Sequence, residues 1–515
     1  MPVVLNIFLV SFSAVLTALA FPPYKLFYLA FISLMPFFWV ICRARSYRGV
    51  LGYALLFGLL FYLLLLRHML VLAEYSSLIL IILGWLLLAF FQALFGAAAA
   101  LLGKFVQRSA PAQNFSGVLW TLPAYAFAWV FFDWLRSLGV FGFTLGGLAY
   151  SQYLFPEFLQ LARYTGPYGL TFVLVFLNVF GGTLAARFWP AEKTEKKIWL
   201  GASAALLVLL GFGLGLSSLC LTWHDIYQQL NDSHKVVTVF QPAIPQKVKL
   251  DETFWPALKK SYLEDIRDFS LNAKTDLLVL PETILGEFLL HNKEFMFALR
   301  DALDFSLVFG IPRQGDAGDG RYYNSVVLFN RYGGLTVLHD KKYLVPFGEY
   351  LPFKPLLHWL VADTGFFDSE YSAGETGADP GGDYAAAVCF ESTFPYQLRE
   401  QIRGGGRLIL ILTNDAWFGR TPLLDMHLSY AVLRAVENNR YTAQSANTGR
   451  SALIDNRGRI LRMSEIDAKE FLTTETVLLT EKTVYTYFGE LIIYLALVFF
   501  FLYFYLLLYA KGRGR

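Results

Sequence analysis

AAAVCFESTF, Ala385 to Phe394, runs from small and branched apolar residues into Cys389, then abruptly into Glu391, Ser392 and Thr393. A short apolar run that ends in polar residues reads as a buried strand reaching the surface. Strand ends are where a rigid scaffold exposes chemistry. A free cysteine more often serves as a small core hydrophobe, so the stretch by itself leaves both readings open. The rest of the chain decides.

The 515 residues are 56% hydrophobic, 17% aromatic and only 16% charged, with a mean hydropathy of +0.46. Ordinary soluble globular chains do not have that composition. Eight apolar stretches approach or exceed the ~20 residues a helix needs to cross a bilayer. They are Val3–Phe21, Leu26–Ile41, Val50–Leu66, Leu78–Gly103, Gly117–Phe132, Gly169–Ala186, Ile198–Trp223 and Leu491–Ala510. A long segment of ordinary polarity lies between the last two. The layout predicts a multi-pass α-helical membrane bundle: seven spans over residues 1–223, one soluble domain over 231–488, and an eighth span over 491–510.

Lys and Arg in short loops set the orientation of such a bundle. Arg43, Arg45 and Arg48 follow the second stretch, and Lys104 and Arg108 the fourth. Arg187, Lys193, Lys196 and Lys197 follow the sixth, and Lys511, Arg513 and Arg515 the eighth. Both termini are therefore expected in the cytoplasm and the soluble domain outside. Arg67, Arg136 and Arg163 blur this pattern without reversing it. Met1 to Ala20 ends in Ala18-Leu19-Ala20, which resembles a signal cleavage site, but no positive n-region precedes it. Its removal would also break the charge alternation, so it reads as a retained first span. The net charge of +3 is already explained by topology and gives no ground for nucleic acid as a partner.

Cys42, Cys220 and Cys389 fall in three separate regions. In an oxidising compartment, a lone domain thiol is a candidate reactive group. The seven histidines show no metal-ligand spacing around a cysteine, and no metal or other cofactor is expected.

Within the soluble segment, Val236–Phe240, Leu277–Leu280, Phe305–Phe309, Ala385–Cys389 and Leu408–Leu412 read as buried strands. Tyr322–Asn330 with Leu335–His339 reads as a hairpin, and Ser451–Ile454 with Arg459–Met463 as a second strand pair. Asp251–Phe269 and Leu424–Asn438 read as helices. Strands alternating with helices imply an α/β sandwich with helices on the outer faces. Three strand ends then carry a reactive side chain: Glu282, Lys341 and Cys389. Each alone is weak, since a carboxylate or lysine there is usually solvated. Together they are chemically pointed: a thiol of pKa near ~8.5 needs a base or a cation to become a good nucleophile, and a lysine can offset charge on a tetrahedral oxygen. Glu287 competes with Glu282, but Glu282 follows its strand directly, where support is rigid.

Asp340 to Glu349, a lysine-led run ending in Pro346-Phe347-Gly348-Glu349, resembles the lysine motif of the nitrilase superfamily. Cys389-Phe390-Glu391 resembles its nucleophile motif and Pro281-Glu282 its glutamate. Tyr323-Asn324-Ser325 and Asn414 to Gly419 match further signatures. The order of these motifs between seven apolar stretches and one more is similar to the bacterial apolipoprotein N-acyltransferase family. That resemblance implies an α/β/β/α sandwich inserted in a membrane bundle, covering almost the whole chain.

It further implies Glu282 as general base, Lys341 as oxyanion-stabilising cation and Cys389 as nucleophile. Glu349 would keep lysine and thiol in place, the Phe390 N–H would complete the oxyanion hole, Glu391 would brace the loop, and Asn324 would support the pocket. Phe390 stands where the family carries Tyr, and the tryptophan expected beside Leu250 is absent, with Trp255 the nearest. The implied reaction moves an acyl chain from a phospholipid, through a thioester, to the N-terminal amine of a diacylglyceryl-cysteine on a lipoprotein precursor. The implied site is the bacterial inner membrane, with the catalytic domain periplasmic. A membrane-tethered amidase or nitrilase-type hydrolase using the same three residues is the alternative, although eight spans are excessive for a tether. A transporter or ligand-binding scaffold is a third reading, and the scarcity of intramembrane ionisable residues, Asp133 aside, counts against it.

Overall fold

A computed structural model of the chain describes residues 3–109, 115–188, 213, 215, 233–286, 289–315, 320–355, 370–375 and 382–513. It divides into two units, Met1–Asp225 with Phe488–Arg515, and Ile226–Tyr487.

The first unit is helical: α1 Val3–Leu19, α2 Met35–Arg43, α3 Tyr47–Leu66, α4 Leu78–Ser109, α5 Phe115–Leu135 and α6 Ala162–Phe188, with a C-terminal helix Leu491–Arg513. Among the described residues, four helices are long and apolar enough to cross a membrane: Tyr47–Glu74, Leu78–Ser109, Ala162–Ala186 and Leu491–Ala510. Val3–Leu19 is a shorter apolar helix, and Phe27–Arg43 a shorter apolar helical stretch.

The expected second span, Leu26–Ile41, is not one helix. A 3₁₀ turn at Phe27–Phe31 gives way to α2, whose first turn holds Pro36. Proline lacks the N–H that would continue a helix from the turn before it. The main-chain groups freed at the break find a partner in α6: Asn178 accepts from the Leu34 N–H at 2.7 Å and donates to the Ala30 carbonyl at 2.8 Å. Apart from Gly213 and Gly215, the expected seventh span, Ile198–Trp223, lies outside the described residues, as do Cys220 and Glu287.

In the second unit the side chains of β2, Leu277–Val279, alternate between two cores, because successive strand residues face opposite ways. Leu277 and Val279 point into a core shared with Leu408, Leu410 and Leu412 of the other sheet. Leu278 packs instead against Tyr262, Ile266 and Phe269 of helix α7, Trp255–Asn272, and Phe295 and Leu299 of α8, Lys293–Ala302. Strands apolar on both faces need cover on both faces, and the result is an α/β/β/α sandwich.

One sheet has the order β11-β1-β2-β3-β4-β5. Besides β2 it contains β1 Ser233–Gln241, β3 Ser306–Gln314, β4 Tyr322–Phe329, β5 Leu335–Asp340 and β11 Glu470–Leu478. The other has the order β10-β9-β8-β7-β6, built from β6 Tyr384–Val388, β7 Leu408–Thr413, β8 Tyr441–Ala446, β9 Ala452–Ile454 and β10 Ile460–Met463. β1, β2 and β3 run parallel, as do β6, β7 and β8. Their carboxyl ends therefore lie together, and that is where open α/β sheets place ligands. Helices α9, Pro395–Arg403, and α10, Leu423–Asn438, complete the unit.

Two strands have no counterpart in the sequence reading. β8 (YTAQSA) is polar yet buried almost throughout, and β11 is rich in Thr and Glu. β3 also runs beyond the expected Phe305–Phe309, pairing through Pro312 to Gln314.

Candidate active site

Glu282 lies just beyond β2, on a chain that turns at once: Thr283 has φ 45°. Gly310 of β3 permits this crossing, since a Cβ there would lie 2.7 Å from the Glu282 Cα. The Glu282 carboxylate is buried and held from two sides. Oε1 accepts from Asn324 Nδ2 at 2.8 Å, and Oε2 accepts from the Asn414 main-chain N–H at 2.9 Å.

Lys341 follows β5 with its side chain 1% exposed. Its Nζ donates to Glu349 Oε1 at 2.9 Å and stands 3.5 Å from Glu282 Oε1. Asn324 links the two carboxylates by donating also to Glu349 Oε1 at 3.1 Å. Glu349 Oε2 accepts from the Val345 N–H at 2.8 Å, closing the loop between lysine and glutamate. Glu282, Lys341, Glu349 and Asn324 thus form one hydrogen-bonded cluster drawn from three strand ends and a loop.

Cys389 is the first residue beyond β6 and opens a 3₁₀ turn, Cys389–Thr393. Its φ of 51° lies in the left-handed region, which residues with a Cβ enter only where the surroundings over-determine it. Glu391 supplies much of that determination. Fully buried, it accepts through Oε2 from the Val388 N–H at 2.9 Å and through Oε1 from the Lys342 and Tyr343 N–H groups at 2.6 and 3.1 Å. His339 Nε2 stands 2.9 Å from Oε2. The cysteine turn is thereby tied to the lysine loop. Phe390, half-buried, sets its ring edge-on to Phe394 at 5.1 Å.

The electrostatics are asymmetric. Burial pulls the Lys341 ammonium toward neutrality, but Glu349 and Glu282 outweigh it and hold its pKa above the ordinary lysine value. Burial, then Glu282, pushes the Cys389 thiol well above the ordinary cysteine range, against the counter-pull of Lys341. Burial also raises Glu391, yet His339 and the main-chain donors win and leave it below the usual carboxylate value. The resting site holds a protonated thiol, a charged lysine and acceptor carboxylates around it. A thiol in that state needs a base at the moment it reacts.

Several further residues border the site without a role assigned from sequence. Lys249 is buried with Nζ donating to the Glu282 carbonyl at 3.0 Å, and burial, partly offset by Glu282, pushes it down to about 8. Trp255 donates from its indole to the Lys249 carbonyl at 3.1 Å. Tyr371 is pushed up to about 12 by burial and by Glu349 and Glu282. His427 of α10 pairs with Asp415 at 2.9 Å. The Asn414–Gly419 motif pointed toward Asp415, but nothing in a helical stretch singles out His427. Among the described residues, no His/Cys/Asp/Glu group is arranged to hold a metal ion.

Residues 13–180 match the family described as Apolipoprotein N-acyltransferase N-terminal domain, and residues 237–481 match Carbon-nitrogen hydrolase. A curated apolipoprotein N-acyltransferase of Geobacter metallireducens is 32% identical over 72% of this chain and 71% of its own. One of Rhizobium rhizogenes is 31% identical over 74% and 70%. Among solved structures, a carbon-nitrogen hydrolase from Helicobacter pylori G27 aligns with 47% of this chain and 88% of its own, at 18% identity and a TM-score of 0.36. With both sequence families present in order and relatives matched along most of their length, the chain belongs to the apolipoprotein N-acyltransferase family.

Proposed function

We propose that Cys389 carries an acyl chain, as a thioester, from a membrane phospholipid to the N-terminal amine of a diacylglyceryl-cysteine on a lipoprotein precursor. The N-acyltransferase activity and its lipoprotein substrate follow from the family. The route through Cys389 rests on one observation. A thiol at a strand end with left-handed φ feels the charges of a buried carboxylate and an ammonium that stand 3.5 Å apart.

In the first half-reaction Glu282 takes the Cys389 proton as the sulfur attacks the ester carbonyl of the phospholipid. The tetrahedral oxyanion is met by the Lys341 ammonium and the Phe390 N–H. Its collapse breaks the carbon–oxygen bond, and Glu282 returns the proton to the departing lysophospholipid hydroxyl. In the second half Glu282 accepts a proton from the incoming amine as nitrogen attacks the thioester. The carbon–sulfur bond then breaks and the thiol is re-formed. Glu349 and Asn324 hold the lysine and base in register, and Glu391 braces the turn. Lys341 stays charged throughout, which its two carboxylates favour.

The membrane association that the family and the apolar helices support extends, in this reading, to eight spans. Seven lie in residues 1–223 and one in 491–510, with residues 231–488 on the periplasmic side of the bacterial inner membrane and both termini cytoplasmic. Reporter fusions after Arg48, Arg108 and Lys197 should report cytoplasm, and fusions within the catalytic segment should report the outside. A cytoplasmic signal from that segment sinks the topology.

Because the second family match is to carbon-nitrogen hydrolases, water is the acceptor to exclude. The acyl adduct should decay quickly when a diacylglyceryl-cysteine peptide with a free amine is added and persist with its N-acetylated form. Decay in buffer alone, releasing free fatty acid at the turnover rate, would establish a hydrolase instead.

A further inference from the structure

One buried cluster outside the residues assigned above touches the main chain of Cys389. His427 Nδ1 lies 2.9 Å from Asp415 Oδ1, while Nε2 lies 3.1 Å from the Cys389 carbonyl oxygen and 2.9 Å from Ser392 Oγ. A carboxylate and a carbonyl can only accept. Hydrogen on both ring nitrogens satisfies both acceptors, with Ser392 Oγ accepting beside the carbonyl, and the contacts fit an imidazolium. Burial works against that charge, but Asp415 first, then the Cys389 carbonyl and Glu282, raise the imidazole above its ordinary value.

Asp415 is itself fixed. Thr413 Oγ1 donates to its Oδ1 at 2.8 Å. Gly449 leaves the room it occupies, since a Cβ there would stand 2.6 Å from Oδ2. The groups facing the ring are thus Asp415 from the turn beyond β7, Thr413 at the end of β7, Cys389 and Ser392 from the turn beyond β6, and Glu282 beyond β2.

We propose that His427, charged and oriented by Asp415, is a positioning residue that clamps the Cys389 carbonyl and so holds the left-handed nucleophile in its attacking conformation. The proposal rests on the thioester reading and deepens it. Glu391 anchors the amide side of the turn through the Val388 N–H, and His427 anchors its carbonyl side. With both held, the thiol cannot relax into an ordinary extended conformation away from Glu282.

The test is single-turnover formation of the thioester by the full-length protein in phospholipid nanodiscs, with thermal unfolding followed in parallel. His427→Leu removes the donor and should slow thioester formation by about 10²-fold, the cost of a small misplacement, with the half-saturating phospholipid concentration unchanged. His427→Gln keeps an amide N–H able to reach the carbonyl and should recover most of that loss. The wild-type rate should fall as pH rises through the His427 pKa, and this alkaline limb should be missing from His427→Gln. If His427→Leu fails to fold, the Gln variant decides alone: a missing alkaline limb supports the clamp and an unchanged one overturns it. A folded His427→Leu acylated at the wild-type rate also overturns it. Absence of any adduct on the wild-type protein would defeat the thioester reading itself, a different result.

Discussion

Arg136 in the helical unit and Lys341 in the sandwich are buried to nearly the same degree, with side chains 3% and 1% exposed. Their surroundings differ in kind. Arg136 pairs with Asp133 at 2.7 Å and donates to the carbonyls of Phe143, Thr144 and Leu145, all within nine residues of it, and to Gln92. A neighbouring carboxylate and a cradle of local main-chain oxygens meet this cation. Lys341 meets Glu349 from its own loop and Glu282 from beyond a different strand, beside a thiol at the end of a third. A buried charge matched locally fixes the shape of a turn. A buried set drawn from distant elements, with a carboxylate to spare, can exchange a proton without moving far. Arg136 and Asp133 thus read as architecture, and Lys341 and Glu282 as chemistry.

Breaking the chemical set should give the largest effect. Cys389→Ala, Glu282→Gln and Lys341→Ala should each lower acyl transfer by more than ~10³-fold, with double variants little worse than singles, because residues that act as a unit lose activity non-additively. Transfer assays on purified variants that still bind detergent micelles and unfold cooperatively check this. Substantial activity in Cys389→Ala would move the nucleophile elsewhere.

The architectural pair should respond in the opposite coordinate. Arg136→Leu removes the partner of the half-buried Asp133 carboxylate, whose side chain is 10% exposed, at a cost of about 1–3 kcal/mol in stability. Thermal unfolding should register that loss, while thioester formation by the fraction that remains folded stays near the wild-type rate. A stable Arg136→Leu protein that cannot form the adduct would erase the distinction drawn between the two cations.

A subtler effect concerns Glu391, whose pKa is lower folded than unfolded. Its stabilisation is fully present above the unfolded carboxylate value of about 4.3 and is lost as pH falls through the lower folded value. Glu391→Gln should therefore be less stable than wild type at neutral pH and should flatten the acid limb of the stability profile. A parallel acid limb in both proteins would mean the brace contributes nothing. The smallest effect belongs to Cys42, whose Sγ sits 3.7 Å from Thr183 Oγ1. Cys42→Ser should shift stability by less than about 0.5 kcal/mol and leave transfer unchanged.

Much of this was legible in the chain because β2, β6 and β7 are apolar on both faces and stop sharply. LLVL before Pro281 and AAAV before Cys389 announce strands and mark where their ends lie. β8 was not legible, because its polarity is satisfied at long range: Ser445 donates to the Phe240 carbonyl, 205 residues away in sequence, at 2.9 Å. β11 was hidden by Thr and Glu residues that suit its place at the sheet edge, paired only with β1. The broken second span was hidden because hydropathy does not register the Pro36 break or the Asn178 staple. His427 and Lys249 carry no local pattern either. One sits in a helix buried along almost its whole length and the other in a short basic helix, and each matters only through a carbonyl brought to it by tertiary folding.

The central claim is that Cys389 becomes a thioester through the Glu282 base. Mass spectrometry of peptides from the full-length protein, after incubation with phospholipid and no acceptor, tests it most directly. The account predicts one acyl adduct, on the Cys389 peptide alone, labile to hydroxylamine and lost in Glu282→Gln. An adduct on Cys42 or on a serine, or an undiminished Cys389 adduct in Glu282→Gln, would contradict it.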